Sequence, residues 1–548
     1  MKNHNFVASS IQIMQAVTKL IVKYKLTLLI AISAALRLML GSITELGNDE
    51  VYYVTYALYP DLSHFDHPPM IGWLIQLFTL NLSLSSETFI RLASIVSGTL
   101  CTIIIYHIGK KIDGPITGWY SALLYNLSVY GFVITGIFAM PDSPQVLFWL
   151  LAILLIITSM EYDNALQQGS GYQTNRNEVA MSFLLAGLSA GLALLSKYTS
   201  AYLIFGTLLY FFLHTNRFKY WHTYAAILIS LFCFIPVLIW NFQNDFISFT
   251  YHSERIEMTE KLFRMDSFGK EIGGQFLYNN PIIYILTIIA VIASFRKKLI
   301  FNNDYARLLL LISLPLIVTF LIISLFRSTL PHWTGPAYVT LIPLTAAWIR
   351  QKTACGIEGK LFPRSVKWAL TFILLLLIAA LLQLFYGVFF NKGIDPDTGK
   401  RIGIKDITLD MYGWNQLDKG FSKIFRSDLN NNVMDTNAVI VSYRWFPAAN
   451  IDYYVGSHEN IKVITMAPLE RSHKYAWITN ARGGYTLGMD AYFISSSYDY
   501  KDPRELYSEL FTIGKPDTIP IYRNNVLVEY FYLWRMKDLR RIPDFPLH

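Results

Sequence analysis

Long apolar runs separated by short polar joints fill most of the first 390 residues. They lie near 26–43, 90–109, 115–134, 144–160, 180–196, 198–213, 221–240, 281–295, 306–326, 336–350 and 366–389. A helix crosses the hydrocarbon of a bilayer with roughly 20 such residues, at about 1.5 Å of rise each. The pattern therefore predicts a polytopic transmembrane helical bundle of about eleven spans. The shorter run 70–84 predicts an interfacial segment.

At Asn391 the pattern changes. The tail is polar and aromatic, and its runs Asn437–Ser442 and Ala491–Ser496 have the length and residue types of strands bounded by turns. The expected organisation is a transmembrane domain over 1–390 and a soluble α/β domain over 391–548, in a chain that is mainly α. No repeat of fixed period and no heptad seam is visible. The Gln-, Gly- and Asn-rich stretch Gln167–Asn177 predicts a flexible cytoplasmic loop.

Composition agrees with a membrane protein: 53% of the 548 residues are hydrophobic and 15% are charged. The net charge of +8 does not indicate a nucleic-acid partner, because Lys and Arg fall in short clusters between apolar runs. With a cytoplasmic start, alternation places Lys110-Lys111, Arg217 with Lys219, Arg296-Lys297-Lys298 and Arg350 through Lys367 on one side, the positive-inside pattern. The first run begins near Leu26 behind Lys19, Lys23 and Lys25, with no cleavage site, and is expected to be retained. Cys101, Cys233 and Cys355 lie far apart and are expected to be free thiols.

The external side then receives the loop 44–89, the turn at Met140-Pro141-Asp142, the turn at Lys197, the loop 241–280, the turn 327–335 and the tail. Loop 44–89 opens with Gly47-Asn48-Asp49-Glu50 and runs through several tyrosines to Phe65-Asp66-His67-Pro68-Pro69. A carboxylate at that depth is partly desolvated and can serve as a base toward a hydroxyl or amine. The plainer alternative is that Asp49 caps an interfacial helix and Glu50 is solvated.

The loop as a whole resembles the first external loop of the membrane glycosyltransferases that take sugar from a polyprenyl phosphate. These include the protein O-mannosyltransferases and the lipid A aminoarabinose transferases. The resemblance extends to Met140-Pro141-Asp142-Ser143-Pro144, to Leu195-Ser196-Lys197-Tyr198, and to Pro331-His332-Trp333 with Pro336-Ala337-Tyr338, in order along residues 25–350. It implies the C-type glycosyltransferase fold, Asp49 as the carboxylate that activates the acceptor, Asp142 as a second acid, and Glu50 as an orienting residue.

Departure of a phosphate from an anomeric carbon needs positive charge, and Lys197 is a candidate clamp that stands against the positive-inside bias, with Tyr198 beside it. In the loop 241–280 only Arg255 is retained as a phosphate candidate, since mixed charge there also fits a solvated helix. Asp66, His67, His332 and Tyr338 are candidate substrate contacts. No HxxxH or DxD spacing points to a metal, and no cofactor is expected.

The expected reaction is inverting transfer of a sugar from a polyprenyl (undecaprenyl) phosphate to a lipid, glycan or protein acceptor. It is expected at the outer face of a cell inner membrane. The alternative is a transporter or flippase of a lipid-linked sugar, which would bind near the midplane on broken helices. The tail, with Ser442-Tyr443-Arg444-Trp445, is expected to bind acceptor or act as a lid.

Overall fold

Uninterrupted apolar sequence with few helix breakers leaves the backbone to satisfy its own hydrogen bonds, and in lipid a helix is the way to do it. The computed structural model describes residues 2–167, 176–256, 263–299, 303–353, 361–390 and 406–545. Cys355 and most of the stretch Gln167–Asn177 fall outside the described residues. Cys101 and Cys233 are free thiols.

The helices are α1 (Lys2–Ile43), α2 (Asn48–Leu58), α3 (Met70–Phe78), α4 (Glu87–Asp113), α5 (Pro115–Leu127), α6 (Asp142–Gln167), α7 (Arg176–Leu194) and α8 (Ala201–His214). They continue with α9 (Trp221–Gln243), α10 (Ile247–Ile256), α11 (Met265–Tyr278), α12 (Pro281–Phe295), α13 (Asn303–Ser324), α14 (Gly335–Thr353), α15 (Arg364–Tyr386) and α16 (Trp414–Asn430). Every apolar run of the sequence falls on one of them, 115–134 continuing past α5 into a separate turn. Among the described residues seven helical stretches are long and apolar enough to cross a membrane, or eight if α11 and α12, bent by 101°, form one span.

The difference from about eleven has a physical source. With 14 and 15 residues, α8 and α12 are too short to cross alone at about 1.5 Å per residue. The run 115–134, taken up by α5 and a π-helical turn at Tyr130–Ile134, counts with α4 in one stretch of 41 residues, Glu87–Leu127, and α14, from the run 336–350, holds Pro336 and Pro343 and is not among the seven. The run 70–84 supplies only the nine residues of α3, too few to span.

The chain forms two compact units. The first comprises 1–42, 91–239 and 252–373, and the second 43–90, 240–251 and 374–548. The loop 44–89 thus belongs with the tail in the second unit.

In the first unit, Asn280 shapes the bend between α11 and α12. Its φ is +63°, its side chain caps Ile282, and its amide donates to the carbonyls of Leu127 and Ala369 at 2.9 Å. Left-handed backbone is tolerated best by Asn among residues with a Cβ, because its short amide bonds locally.

In the second unit the tail forms a mixed sheet of β1 (Val439–Ser442), β2 (Val463–Thr465), β3 (Ala491–Ser496), β4 (Thr512–Ile513), β5 (Asp517–Arg523) and β6 (Val526–Lys537). The order is β2-β1-β3-β6-β4, with β5 also on β6; β2, β1 and β3 are parallel, and β6 is antiparallel to β3, β4 and β5. One face buries Val441, Ile464, Phe493, Trp534 and Met536. On the other, Phe421 and Phe425 of α16 pack on Tyr492. Asp428 of α16 accepts from the Tyr492 hydroxyl at 2.9 Å and from Arg535 at 2.6 Å. That arrangement satisfies a buried carboxylate while tying helix to sheet.

Candidate active site

In the second unit the start of α2 gives two adjacent acids different surroundings. Gly47 precedes the helix in extended conformation, and its N–H donates to Glu50 Oε2 at 3.0 Å. This is the return half of a capping box, and it occupies a carboxylate that is 2% exposed. Asp49 is exposed in the same first turn, where the helix dipole favours a negative charge.

One turn apart on α2, the hydroxyls of Tyr52 and Tyr56 both donate to Asp66 Oδ1, at 2.9 and 2.5 Å. Residues i and i+4 share a helix face, so this tyrosine pair holds the segment 64–67 against α2. Close approach of α3 needs Gly72, where an added Cβ would lie 2.9 Å from the Tyr56 carbonyl carbon. Burial would raise the Asp66 carboxyl, but His67, His473 and the two tyrosine hydroxyls outweigh it and hold it below the usual carboxylate range. His67 is half-buried, its ring 5.8 Å from that of Tyr53.

Lys474 enters this cluster from the tail. Its ammonium donates to the Tyr59 carbonyl at 2.8 Å and to His64 Nδ1 at 2.6 Å. Burial lowers the lysine to about 8, opposed by Asp61 and Asp66. Burial, then Lys474 and His67, push His64 well below the ordinary histidine range. A neutral imidazole accepting from a lysine is the arrangement these shifts describe.

In the first unit, Asp142 opens α6 and Lys197 stands at the break between α7 and α8. Their side chains meet at 2.7 Å and are 1% and 6% exposed. Asp142 also accepts from the Tyr130 hydroxyl at 3.0 Å, and Tyr130 lies in the π-helical turn. Such turns re-aim side chains by one extra residue. Gly335 makes room for the Tyr130 ring, since a Cβ there would lie 2.1 Å from it. Gln145 donates to Thr199 and Ser200 at 2.8 and 3.0 Å, fixing the turn after Lys197.

His332 feels the charges of both Asp142 and Lys197. Burial lowers it to about 4, with Asp142 opposing and Lys197 adding to the effect, so it is a neutral imidazole near pH 7. The Tyr198 ring packs edge-on to His252 at 5.1 Å. Tyr338 belongs to a separate chain of bonds, donating to Gln275 at 2.7 Å, which donates to Glu271 at 2.7 Å. Arg255 lies in α10, and its side chain falls outside the described residues.

The structure therefore groups Asp142, Lys197 and His332 in the first unit, and Asp66 and His67 near α2 in the second. Sequence reasoning missed Tyr130, His64 and Lys474. For Tyr130 and Lys474 no sequence signal exists, because the first depends on a π-helical turn and the second on the fold of the tail. For His64, its place two residues before Asp66 is a signal that could have been used. Among the described residues no group of three or more His, Cys, Asp or Glu is placed to hold a metal ion.

Residues 66–240 match the family described as dolichyl-phosphate-mannose-protein mannosyltransferase. The chain is 23% identical over 331 residues to the lipid A galacturonosyltransferase RgtD of Rhizobium johnstonii, covering 58% of this chain and 66% of that protein. The fold matches ArnT from Cupriavidus metallidurans bound to undecaprenyl phosphate, with a TM-score of 0.58, 11% identity, and coverage of 92% of this chain and 97% of that one. The apo state of the same ArnT gives 0.55 at the same identity and coverage.

The fold is that of the C-type membrane glycosyltransferases. The expected helical fold with a sheet-containing tail holds, and the resemblance carried by the loop and turn motifs agrees with the family match over 66–240. The chain is a multi-pass membrane protein.

Proposed function

We propose that this chain transfers a sugar from a polyprenyl phosphate to a hydroxyl or amine acceptor at the outer face of a cell inner membrane, with Asp49 as the base. The observation that carries this reading is the difference in access at the start of α2: Glu50 is buried and accepts from the Gly47 N–H, whereas Asp49 presents its side chain at the surface. The undecaprenyl phosphate in the matched ArnT structure supports the class of donor. The name of the Rhizobium relative supports a lipid acceptor.

In the proposed step Asp49 takes the acceptor proton as the acceptor oxygen or nitrogen bonds to the anomeric carbon. The bond from that carbon to the phosphate oxygen breaks, and polyprenyl phosphate leaves with the electron pair. Attack opposite the leaving group inverts the anomeric centre. A phosphate is a good leaving group and needs charge stabilisation rather than an acid.

Lys197 is the proposed source of that charge. One of its N–H groups is directed to Asp142, and an ammonium carries further donors. Asp142 and Tyr130 orient it, His332 contributes a neutral imidazole, and Tyr198, Tyr338 and Arg255 are proposed substrate contacts. Asp66 and His67 are proposed to shape the external loop around the donor. No metal or other cofactor is required in this scheme.

Transfer of radiolabelled sugar from undecaprenyl-phosphate donors to a membrane lipid extract, by purified chain in detergent, tests the reading. Product in detergent supports a transferase. Movement of lipid-linked sugar only across sealed vesicles, without product, would replace it with a flippase.

A further inference from the structure

A carboxylate taken partly out of water is costly unless hydrogen bonds replace its hydration. Glu45, half-buried in the joint before α2, accepts three such bonds, all from the first turn of α16. They come from the Trp414 N–H at 3.0 Å, the Asn415 N–H at 3.2 Å and the Asn415 side-chain amide at 2.8 Å. The first N–H groups of a helix find no partner within it. Gly413, which precedes α16 with φ +100°, has no side chain with which to cap them. Glu45 therefore caps α16 from 369 positions earlier in the chain, where the helix dipole also favours its charge.

The next three residues are held by the tail as well. The Leu46 N–H donates to the hydroxyl of Tyr454, a residue that is 1% exposed. That bond is 2.7 Å long. The Met411 side chain lies against Gly47, where an added Cβ would be 3.5 Å from Met411 Cγ. Asn48 is hydrogen-bonded through its side chain to the Asp410 carboxyl. Positions 45–48 are thus tied in succession to 410–415 and 454 within the second unit, and Asp49 comes next.

A general base acts only within hydrogen-bond reach of the proton it takes, about 2.6–3.2 Å. Asp49 is exposed, so its place follows from the backbone that carries it and not from burial. Of the ties to that backbone, the one through Glu45 is charge-assisted, and such bonds are roughly twice as strong as neutral ones.

We propose that Glu45 is a positioning residue: by accepting from the first turn of α16 it fixes the start of α2, and with it the place of the Asp49 carboxylate at the acceptor. The inference rests on Asp49 as the base and deepens that reading, because it gives the tail a part in aiming the base.

Glu45→Gln keeps one acceptor oxygen but loses the charge and turns an NH2 group toward the α16 donors. In the folded full chain kcat is expected to fall by roughly 10²-fold, the cost of misplacing a reacting group by about 1 Å, with donor and acceptor KM unchanged. Asn415→Ala, at an exposed position, removes one of the three bonds and is expected to act in the same direction by a smaller factor. The exchange Glu45→Gln with Asn415→Asp rebuilds an acid–amide bond across the joint and is expected to restore much of kcat.

The deciding comparison is a double-mutant cycle with Asp49→Asn. If Glu45 acts through Asp49, adding Glu45→Gln to Asp49→Asn slows transfer no further. Hydrogen–deuterium exchange of the full chain without substrate is expected to quicken over 46–52 in Glu45→Gln and to stay at the wild-type rate over β1, β3 and β6. Unchanged exchange over 46–52, wild-type kcat in the Glu45 variant, or a loss that multiplies with that of Asp49→Asn overturns the proposal and leaves Asp49 as the base. Wild-type turnover in Asp49→Asn removes the base assignment and this proposal with it.

Discussion

The Lys197 ammonium and the Asp142 carboxylate lie 2.7 Å apart with almost no exposed surface. The pair neutralises two charges that α6 and the break after α7 would otherwise leave unsolvated, and in the proposed mechanism it also aims the lysine at the donor phosphate.

Loss of one partner leaves the other charged and buried, which typically costs about 3–5 kcal/mol. Lys197→Met is therefore expected to melt well below wild type, and the double variant Lys197→Met, Asp142→Leu to recover much of that loss. Transfer activity is expected to stay low in both. Thermal melting in detergent and a transfer assay on the same preparations measure the two effects separately. Recovery of activity with stability would show that the pair is only structural.

Tyr56→Phe removes one of the two hydroxyls that hold Asp66. A hydrogen bond to a charged group contributes about 1.5–3 kcal/mol. The folded Asp66 carboxyl sits below its ordinary value, so its stabilising effect is present above the unfolded value and is lost as pH falls through the folded one. Without Tyr56 the folded value rises, and the acid limb of the stability profile is expected to move to higher pH. Melting temperatures of the variant and wild type from pH 3 to 7 check the shift.

Glu529 gives the opposite slope. Burial raises its carboxyl to about 8, with Ser496 and the Tyr498 backbone opposing. The folded chain then binds more protons than the unfolded chain between the ordinary glutamate value near 4.5 and about 8. Stability from this group is full below that window and falls as pH rises through it. Glu529→Gln is expected to flatten the pH dependence and to melt higher than wild type at pH 8, measured by intrinsic fluorescence.

Transfer is expected to survive exhaustive treatment with EDTA, since the scheme routes charge stabilisation through Lys197. Loss of activity on chelation and its return with a divalent cation would require a different phosphate partner.

Much of the fold was legible because transmembrane helices are written in long apolar runs. Where the reading missed, the cause is local: α5 stops at Leu127 and a π-helical turn follows, so Tyr130 meets Asp142 in a way periodicity does not encode. The strand expected at Ala491–Ser496 matches β3, and that at Asn437–Ser442 loses only its first two residues to a turn. Within the candidate site, Asp49 and Glu50 look equivalent in sequence, and the burial of Glu50 and its bond from Gly47 tell them apart. Lys474 was invisible because its contacts with Tyr59 and His64 join positions about 410 residues apart.

The most direct test of the account is Asp49→Asn, assayed for sugar transfer from a polyprenyl-phosphate donor that wild type uses. Asp49 is exposed, so the variant is expected to keep a wild-type melting temperature. Loss of a general base typically costs roughly 10²–10⁴-fold in rate, and a drop in kcat of that size in the folded variant is the predicted result. A folded Asp49→Asn protein with wild-type turnover would contradict the assignment of the base and with it the mechanism built on α2.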